Sequence, residues 1–212
     1  MILLLEYVLI RICKFYLYRK QLITGSLDKS VLLWNLENPE YRPIKLLGHT
    51  QGVFDVSLSP NGTLIASCSS DQTLKIWDNS LLWQGHTFQS YKQHSAPIKS
   101  CNFSCDNKLI VTGSNDTLVK IFNVVTKKSV STLSAHTNWL KCTRFSNDGN
   151  LIISCGDDKK AIIWDVVKEL PVQTYIHPGF VNCARFHPDD TCFATSCHDK
   201  KIRVSKLFKI DL

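Results

Sequence analysis

The segment that decides the fold is Leu133–Asp165, which reads LSAHTNWLKCTRFSNDGNLIISCGDDKKAIIWD. Within it, His136 stands 18 residues before Ser154. Asp158 and Trp164 come four and ten residues after that serine. Between them, short runs of β-branched and aromatic residues alternate with polar residues, and an Asn-Asp-Gly turn separates two of the runs. This pattern is typical of short antiparallel strands joined by tight turns.

The same residue types recur along the chain at a period of about 43 residues. In five segments a Ser or Thr stands four residues before an Asp: Thr24 and Asp28, Ser67 and Asp71, Thr112 and Asp116, Ser154 and Asp158, Thr195 and Asp199. In four of the five, a histidine lies 22 residues before the Asp: His49, His94, His136 and His177. A fixed period of roughly 20 to 50 residues indicates stacked, similar structural units.

Each unit contains enough strands for one blade of a β-propeller. One strand follows the histidine, a second ends near the Ser or Thr, a third carries the Trp position, and a fourth precedes the next histidine. Radial repetition of four-stranded sheets leaves only short edges exposed. The sequence therefore predicts an all-β propeller of five four-stranded blades in one domain over residues 1–212, with repeats at about 8–36, 46–78, 91–124, 133–166 and 175–207.

Two segments carry a resemblance to a known family. Leu47-Gly48-His49 with Ile76-Trp77-Asp78 is in register with Ala135-His136 and Ile163-Trp164-Asp165, and here the chain resembles the WD-repeat (WD40) family. The resemblance implies a hydrogen-bonded tetrad in each blade, from Trp to a hydroxyl, from the hydroxyl to His, and from His to Asp. The implied members are His49, Ser67, Asp71, Trp77, His94, Thr112, Asp116, His136, Ser154, Asp158, Trp164, His177, Thr195 and Asp199.

Three units depart from the full set. The third unit has Phe122 in the Trp position, the last has Ser205, and the first has Glu6 where its histidine would stand. We therefore expect the two terminal blades to be the weakest, because a buried polar group without a partner costs about 1 to 3 kcal/mol.

A recurring Ser, His and Asp also suggest a catalytic triad as an alternative. A catalytic set is needed once, in a cleft, whereas a set copied through successive repeats serves the repeat. The sequence contains no HExxH motif, glycine-rich phosphate loop, nucleophile elbow or EF-hand loop. We therefore expect no enzymatic activity, no cofactor, no metal site and no small-molecule substrate.

The composition narrows the compartment and the partners. The net charge of +7 slightly favours acidic partners, although a solvated lysine-rich surface explains it equally well. Nine cysteines without a CxxC pair indicate neither a disulfide framework nor a zinc site. The apolar stretch Met1–Ile10 is too short to span a bilayer, and positive charge follows it rather than precedes it. We expect a protein of the reducing cytosol that binds proteins, and neither nucleic acid nor membranes.

One face of the predicted propeller carries candidate contacts. The histidine and the turn Asp lie at the same end of a blade, so residues shortly after each histidine rim that face. Aromatic and cationic residues, which binding hot spots favour, occupy several of these positions. The predicted partner-binding residues are Phe54, Lys99, Trp139, Lys141 and Phe180. The alternative is that the aromatic side chains only cover the loops of neighbouring blades.

Local detail adds a finer resemblance. Leu133–Cys142, followed by Gly179-Phe180-Val181 and Phe186-His187-Pro188, looks like the fourth and fifth repeats of the Proteome-of-Centriole family, and Lys20-Gln21-Leu22 resembles its first repeat. This resemblance implies a scaffold of centrioles and basal bodies, located at the cytoskeleton, that supports centriole assembly or stability and cilium formation. Its partners would be proteins of the microtubule wall, tubulin among them. The rival function is an adaptor of another class, such as a substrate receptor of a ubiquitin ligase or a nuclear reader of modified peptides.

The number of repeats leaves two architectures open. The Proteome-of-Centriole family has seven repeats and a C-terminal coiled coil, whereas this sequence has five repeats. The five blades form either an open arc of a seven-bladed propeller or a small closed ring in which Ile2–Leu5 complete the last blade. We favour the open arc, because five WD blades rarely close.

Overall fold

The computed structural model describes residues 10–16, 20–38, 40–79 and 87–207, where the regular secondary structure consists of β-strands. The first sheet contains β1 (Ile10–Tyr16), β2 (Gln21–Ser26), β3 (Val31–Asn35) and β4 (Ile44–Leu46). The second contains β5 (Val53–Leu58), β6 (Leu64–Ser69), β7 (Leu74–Asp78) and β8 (Thr87–Tyr91). The third contains β9 (Ile98–Phe103), β10 (Leu109–Ser114), β11 (Val119–Asn123) and β12 (Lys128–Leu133).

The last two sheets continue the series. The fourth contains β13 (Leu140–Phe145), β14 (Leu151–Gly156), β15 (Lys160–Asp165) and β16 (Leu170–Ile176). The fifth contains β17 (Val181–Phe186), β18 (Cys192–Cys197) and β19 (Ile202–Lys206). In every sheet the strands pair in chain order and antiparallel, so each repeat forms one blade. The all-β propeller architecture expected from the repeat is confirmed.

The fifth sheet has three strands in the described part of the chain, and the fourth strand predicted for this blade is not among the described residues. In the other four sheets the outer strand follows the third strand after a short connection, and only Leu207 is described beyond β19. The segment Ile2–Leu5, expected to complete this blade in a closed ring, lies outside the described residues.

The apolar side chains are buried between successive sheets rather than in one central core. Four clusters fill the four spaces between the five sheets. In the first, Trp77 and Ile65 of the second sheet pack against Val31 and Leu33 of the first. Each internal sheet is therefore covered on both faces, which explains why the strands β6, β10 and β14 are almost wholly buried.

Small residues let the sheets approach one another near the shared centre. A β-carbon added to Gly113 in β10 would lie 2.6 Å from the Cγ2 atom of Thr143 in β13, and one on Gly25 would lie 2.9 Å from Val53 Cγ1. Each of these contacts joins the second strand of one blade to the inner strand of the next. The absence of a side chain at these positions narrows the blades toward the centre, as a radial arrangement requires.

The five sheets form an open arc. Ile202 and Val204 of the fifth sheet are 75% and 70% exposed, whereas Ala161 and Ile163 at the same positions of the fourth sheet are fully buried by the fifth. Among the described residues, no strand of the fifth sheet packs extensively on the first. The favoured open arc is thus confirmed, while its origin in a seven-bladed propeller stays a prediction. The described residues also contain no helix long and apolar enough to cross a bilayer.

Gly156, at the end of β14, provides a test of the close contact between strand and loop. A β-carbon at Gly156 would lie 2.2 Å from the carbonyl oxygen of Trp139, which accepts a hydrogen bond from the Asp157 backbone N–H at 2.8 Å. We predict that Gly156→Ala lowers the free energy of unfolding by about 1 to 3 kcal/mol, because the loop backbone must move. Urea unfolding measures this loss. Gly179→Ala is the control, since its nearest contact would be an ordinary 3.5 Å, and equal losses in the two variants would contradict the prediction.

Candidate protein-interaction face

Two blades contain the complete chain of side-chain hydrogen bonds. In the second sheet Trp77 Nε1 donates to Ser67 Oγ at 2.8 Å. The same Ser67 Oγ lies 2.8 Å from His49 Nε2. His49 Nδ1 lies 2.9 Å from Asp71 Oδ2. The fourth sheet repeats the arrangement at 2.7 Å in all three contacts, with Trp164, Ser154, His136 and Asp158.

These contacts have one consistent assignment of protons. The serine oxygen accepts from the indole, so its hydroxyl donates to His Nε2, and the other ring nitrogen donates to the carboxylate. Every buried polar atom of the set is then satisfied, which is the condition under which a buried network stabilises a fold. The histidine is the central member, because it joins the strand hydroxyl to the turn carboxylate.

Two further blades keep part of the set. In the third sheet His94 lies 2.8 Å from Thr112 Oγ1 and 2.7 Å from Asp116 Oδ2. Phe122 replaces the tryptophan and packs against the Tyr91 ring, with 4.9 Å between ring centroids. In the first sheet, which has no histidine, the indole and hydroxyl still meet: Trp34 Nε1 donates to Thr24 Oγ1 at 3.1 Å.

The tetrad expected in the fifth blade is incomplete, because His177 does not contact the carboxylate of Asp199. His177 Nε2 contacts Thr195 Oγ1 at 2.9 Å, but His177 Nδ1 faces the backbone carbonyl of Tyr175 at 3.3 Å. Asp199 instead accepts hydrogen bonds from both terminal nitrogens of Arg203, four residues further on. A guanidinium binds both carboxylate oxygens at once and so competes effectively with an imidazole. Burial lowers the pKa of His177.

The turn carboxylates of the other blades are held in the ionised form. Burial alone raises the pKa of Asp71, but hydrogen bonds from His49, Thr73 and the Thr50 backbone N–H outweigh it and leave the pKa well below its usual value. The pKa values of Asp116 and Asp158 are lowered in the same way, again against the effect of burial, chiefly by the hydrogen bonds from their histidines.

The inner strands of all five sheets line one cavity of about 530 Å³. Each sheet contributes a side chain to its wall, and four of these five are cationic: Arg11, Phe54, Lys99, Lys141 and Arg185. The lining shows that the five blades converge on a common space. The cavity opens on the face that carries the histidines and the turn carboxylates, since Asn115 and Asp157 of those turns also line it.

Four of the five predicted rim residues, all except Phe180, line this cavity, and two cation and aromatic pairs form among the five. Lys99 Nζ lies 3.4 Å from the centre of the Phe54 ring, and Lys141 Nζ lies 5.3 Å from the centre of the Phe180 ring. Trp139 is 54% exposed and lines the cavity as well. Phe54 and Phe180 therefore do contact neighbouring residues, whereas most of Trp139 faces solvent. The role of these residues in binding a partner stays a prediction.

Lys141 is the most constrained cation of the rim. Its Nζ atom forms an ion pair with Asp157 at 2.7 Å and donates to Asn182 Oδ1 at 3.0 Å. Sequence reasoning missed a third cation of the rim, Arg11, whose guanidinium carbon lies 5.8 Å from the Phe54 ring centre. In the other blades the rim positions were found by counting residues from the histidine, and the first repeat has no histidine to count from.

A buried ion pair across the cavity wall also escaped the sequence analysis. Arg144 Nη2 in the fourth sheet lies 2.8 Å from Asp55 Oδ2 in the second, and both side chains are almost completely buried. Ser100 and the Cys101 backbone N–H, between them in the third sheet, donate to the same carboxylate at 3.2 and 3.1 Å. The pair thus joins three blades. The sequence did contain a sign of this pair, because Asp55 and Arg144 are charged residues within the apolar strands β5 and β13.

The family follows from a comparison with known repeats. The family model described as "WD domain, G-beta repeat" matches residues 41–78, 85–123, 127–165 and 169–204. The chain belongs to the WD40 family. The model does not cover the predicted first repeat at 8–36, although its described residues form strands β1 to β3 of a blade. The described ranges contain no group of three side chains suited to hold a metal ion.

Several curated proteins are similar to part of this WD40 chain. The nuclear distribution protein PAC1 of Arthroderma otae is 35% identical over 127 residues, which is 56% of this chain and 27% of PAC1. Nuclear distribution protein nudF 1 of Talaromyces marneffei is 31% identical over 120 residues, 56% of this chain and 26% of nudF 1. WD repeat-containing protein SL1-17 of Schistosoma mansoni is 33% identical over 109 residues, which is 51% of this chain and 35% of SL1-17. The chain therefore spans about a quarter to a third of these relatives, and none of the three has a centriolar name.

The carboxylate of the tetrad gives a first prediction for this face. Asp71→Ala removes the carboxylate that accepts from His49 Nδ1 at 2.9 Å and leaves only the longer 3.3 Å contact with Thr73 Oγ1 among the described residues. We therefore expect the free energy of unfolding to fall by about 2 to 3 kcal/mol. Asp199→Ala is the matched control, because His177 does not contact that carboxylate, and its loss should be smaller. Thermal or urea unfolding compares the two, and an equal or larger loss for Asp199→Ala would contradict the role of the tetrad.

The same variant predicts a pH dependence. Because the pKa of Asp71 is lower in the folded state than the usual value of 3.8, the carboxylate stabilises the fold above that value and loses the effect as pH falls through its folded pKa. The difference in stability between the wild type and Asp71→Ala should therefore narrow as pH falls below 3.8. A difference that is constant with pH would contradict this assignment.

The buried ion pair gives a second prediction. Asp55→Ala leaves the Arg144 guanidinium buried and uncompensated, and we expect a loss of about 3 to 5 kcal/mol. The double change Asp55→Ala with Arg144→Met removes both charges and should lose less than the single change. Urea unfolding of the three proteins provides the comparison. If the double variant is the less stable of the two, the pair does not act as described.

Proposed function

We propose that this WD40 protein is a non-catalytic interaction scaffold that binds protein partners through the rim of the histidine-bearing face. The observation that carries the proposal is the exposed Trp139 beside Lys141 at the mouth of a cavity that all five blades line. Tryptophan and cationic side chains at the edge of a concave surface have the composition of binding hot spots. The tetrads and the Asp55–Arg144 pair hold the strands below this rim, so the contacts are presented on a rigid base.

The cellular setting that we favour is the distribution of nuclei. PAC1 and nudF 1 carry that function in their names, and their similarity to this chain extends over 56% of its length. The second candidate is a scaffold of centrioles and basal bodies in the cytoplasm and cytoskeleton, with tubulin or other centriolar proteins as partners. It is supported by the local stretch Leu133–Cys142 and by Gly179-Phe180-Val181, which is a shorter match than the first.

A pull-down with paired variants tests the use of the rim. We predict that Trp139→Ala combined with Lys141→Glu reduces the capture of protein partners at least severalfold, while the melting temperature stays close to that of the wild type. The matched control is Val125→Ala combined with Lys128→Glu, an exposed apolar and basic pair away from this face. Undiminished capture by the rim variant, or equal loss in the control, would exclude this face as the binding surface.

Depletion and tagging distinguish the cellular settings. Displaced nuclei after depletion support the nuclear distribution setting. Paired dots of the tagged protein at centrosomes, or rows at basal bodies, support the centriolar setting. A diffuse nuclear signal without displaced nuclei would contradict both and favour an adaptor such as a ubiquitin-ligase substrate receptor or a nuclear peptide reader.

A further inference from the structure

The inner strands carry positive charge at two depths. The positions nearest the rim hold Arg11, Phe54, Lys99, Lys141 and Asn182. Three residues further along the same strands stand Lys14, Ser57, Asn102, Arg144 and Arg185. A strand rises by about 3.3 Å per residue, so about 10 Å separates the two levels. Cations therefore extend from the rim inward.

In the part of the chain that the structure describes, carboxylates pair with some of these cations. Asp55 forms an ion pair with Arg144 at 2.8 Å, and Asp157 forms one with Lys141 at 2.7 Å. Within the described ranges, four cations of the inner strands have no carboxylate at ion-pair distance: Arg11, Lys14, Lys99 and Arg185. Among the described residues, the Arg185 guanidinium donates to Cys142 Sγ at 3.3 Å and to the Ala184 carbonyl at 3.4 Å, and neither group is a carboxylate.

These cations also destabilise one another's charged forms. Burial lowers the pKa of Lys14, and the positive charge of Arg144 lowers it further. Burial likewise lowers the pKa of Lys99, with Arg11 as the next cause. Like charges gathered in a partly desolvated space raise the free energy of the protein, and a bound anion removes part of that cost. The cavity is therefore complementary to negative charge.

The shape of the cavity narrows the class of anion. Its volume of about 530 Å³ is in the range of ligand sites, roughly 300 to 1,000 Å³. The unpaired cations lie on separate strands and at two depths, which suits several singly charged carboxylates along an extended chain. A single phosphate would instead need several donors converging on one point. Lys99 covers one face of the Phe54 ring at 3.4 Å, which leaves less of that ring for a nucleobase to stack on.

We propose that this cavity binds an acidic, extended peptide segment of a protein partner, whose carboxylates pair with Arg11, Lys99 and Arg185. The proposal rests on the function proposed above, because it assigns the chemistry of the partner to the same rim. Trp139 then contacts the residues that flank the acidic ones.

The test uses the full chain and a fluorescent octaglutamate peptide, with octaglutamine as the uncharged comparison. Fluorescence anisotropy should show binding of octaglutamate that weakens as salt is added, and no comparable binding of octaglutamine. Arg185→Gln should raise the Kd for octaglutamate by about tenfold or more, because it removes a charge-assisted pair. Lys99→Gln should act in the same direction. Lys128→Gln, an exposed lysine on β12, should leave the Kd unchanged.

Several outcomes would overturn the proposal. One is the absence of octaglutamate binding, and another is a Kd that Arg185→Gln and Lys128→Gln change equally. Displacement of the peptide by an equal concentration of inorganic phosphate, or tighter Arg185-dependent binding of a single-stranded oligonucleotide, would show that the site takes a different anion. If the rim variant at Trp139 and Lys141 still loses its partners in the pull-down, the proposed function stands and only the acidic chemistry fails. Melting temperatures confirm that each variant is folded.

Discussion

The structure depends on a buried imidazole that joins a hydroxyl on one strand to a carboxylate in a turn. In the fourth sheet His136 contacts Ser154 and Asp158, each at 2.7 Å, and the hydroxyl in turn accepts from Trp164. The network fixes the loop before the inner strand against the turn between the next two strands. Because both of these segments border the cavity, the same bonds that stabilise a blade also set the shape of its rim.

The blades are then joined by two different kinds of contact. Apolar clusters fill the spaces between successive sheets, where burial of apolar surface stabilises the fold. Near the centre the contacts become polar, and the Asp55–Arg144 pair connects the second sheet to the fourth through the third. A charge so placed must be compensated. The consequence is a cavity with a fixed wall in which some cations have no carboxylate partner among the described residues.

Much of this organisation could be predicted because it is periodic. The alternation of apolar residues and the recurrence of His136 and its equivalents depend on local spacing, which the sequence displays directly. The contacts that sequence reasoning missed depend on the fold. Asp55 and Arg144 are 89 residues apart, and no repeat relates them. Asp199 accepts from Arg203 rather than from His177, so two nearby donors compete for one carboxylate. Sequence spacing alone does not predict which donor binds.

The central claim, that these histidines hold the blades, is tested most directly by the protonation of their rings. Nitrogen-15 NMR of the imidazoles distinguishes the two neutral tautomers. The account predicts that His49, His94 and His136 carry the proton on Nδ1, where the turn carboxylate accepts it, and that these protons exchange slowly with water. The exposed ring of His198 should exchange fast and serves as the internal reference. Protons on Nε2 in the three buried rings, or exchange as fast as that of His198, would contradict the account.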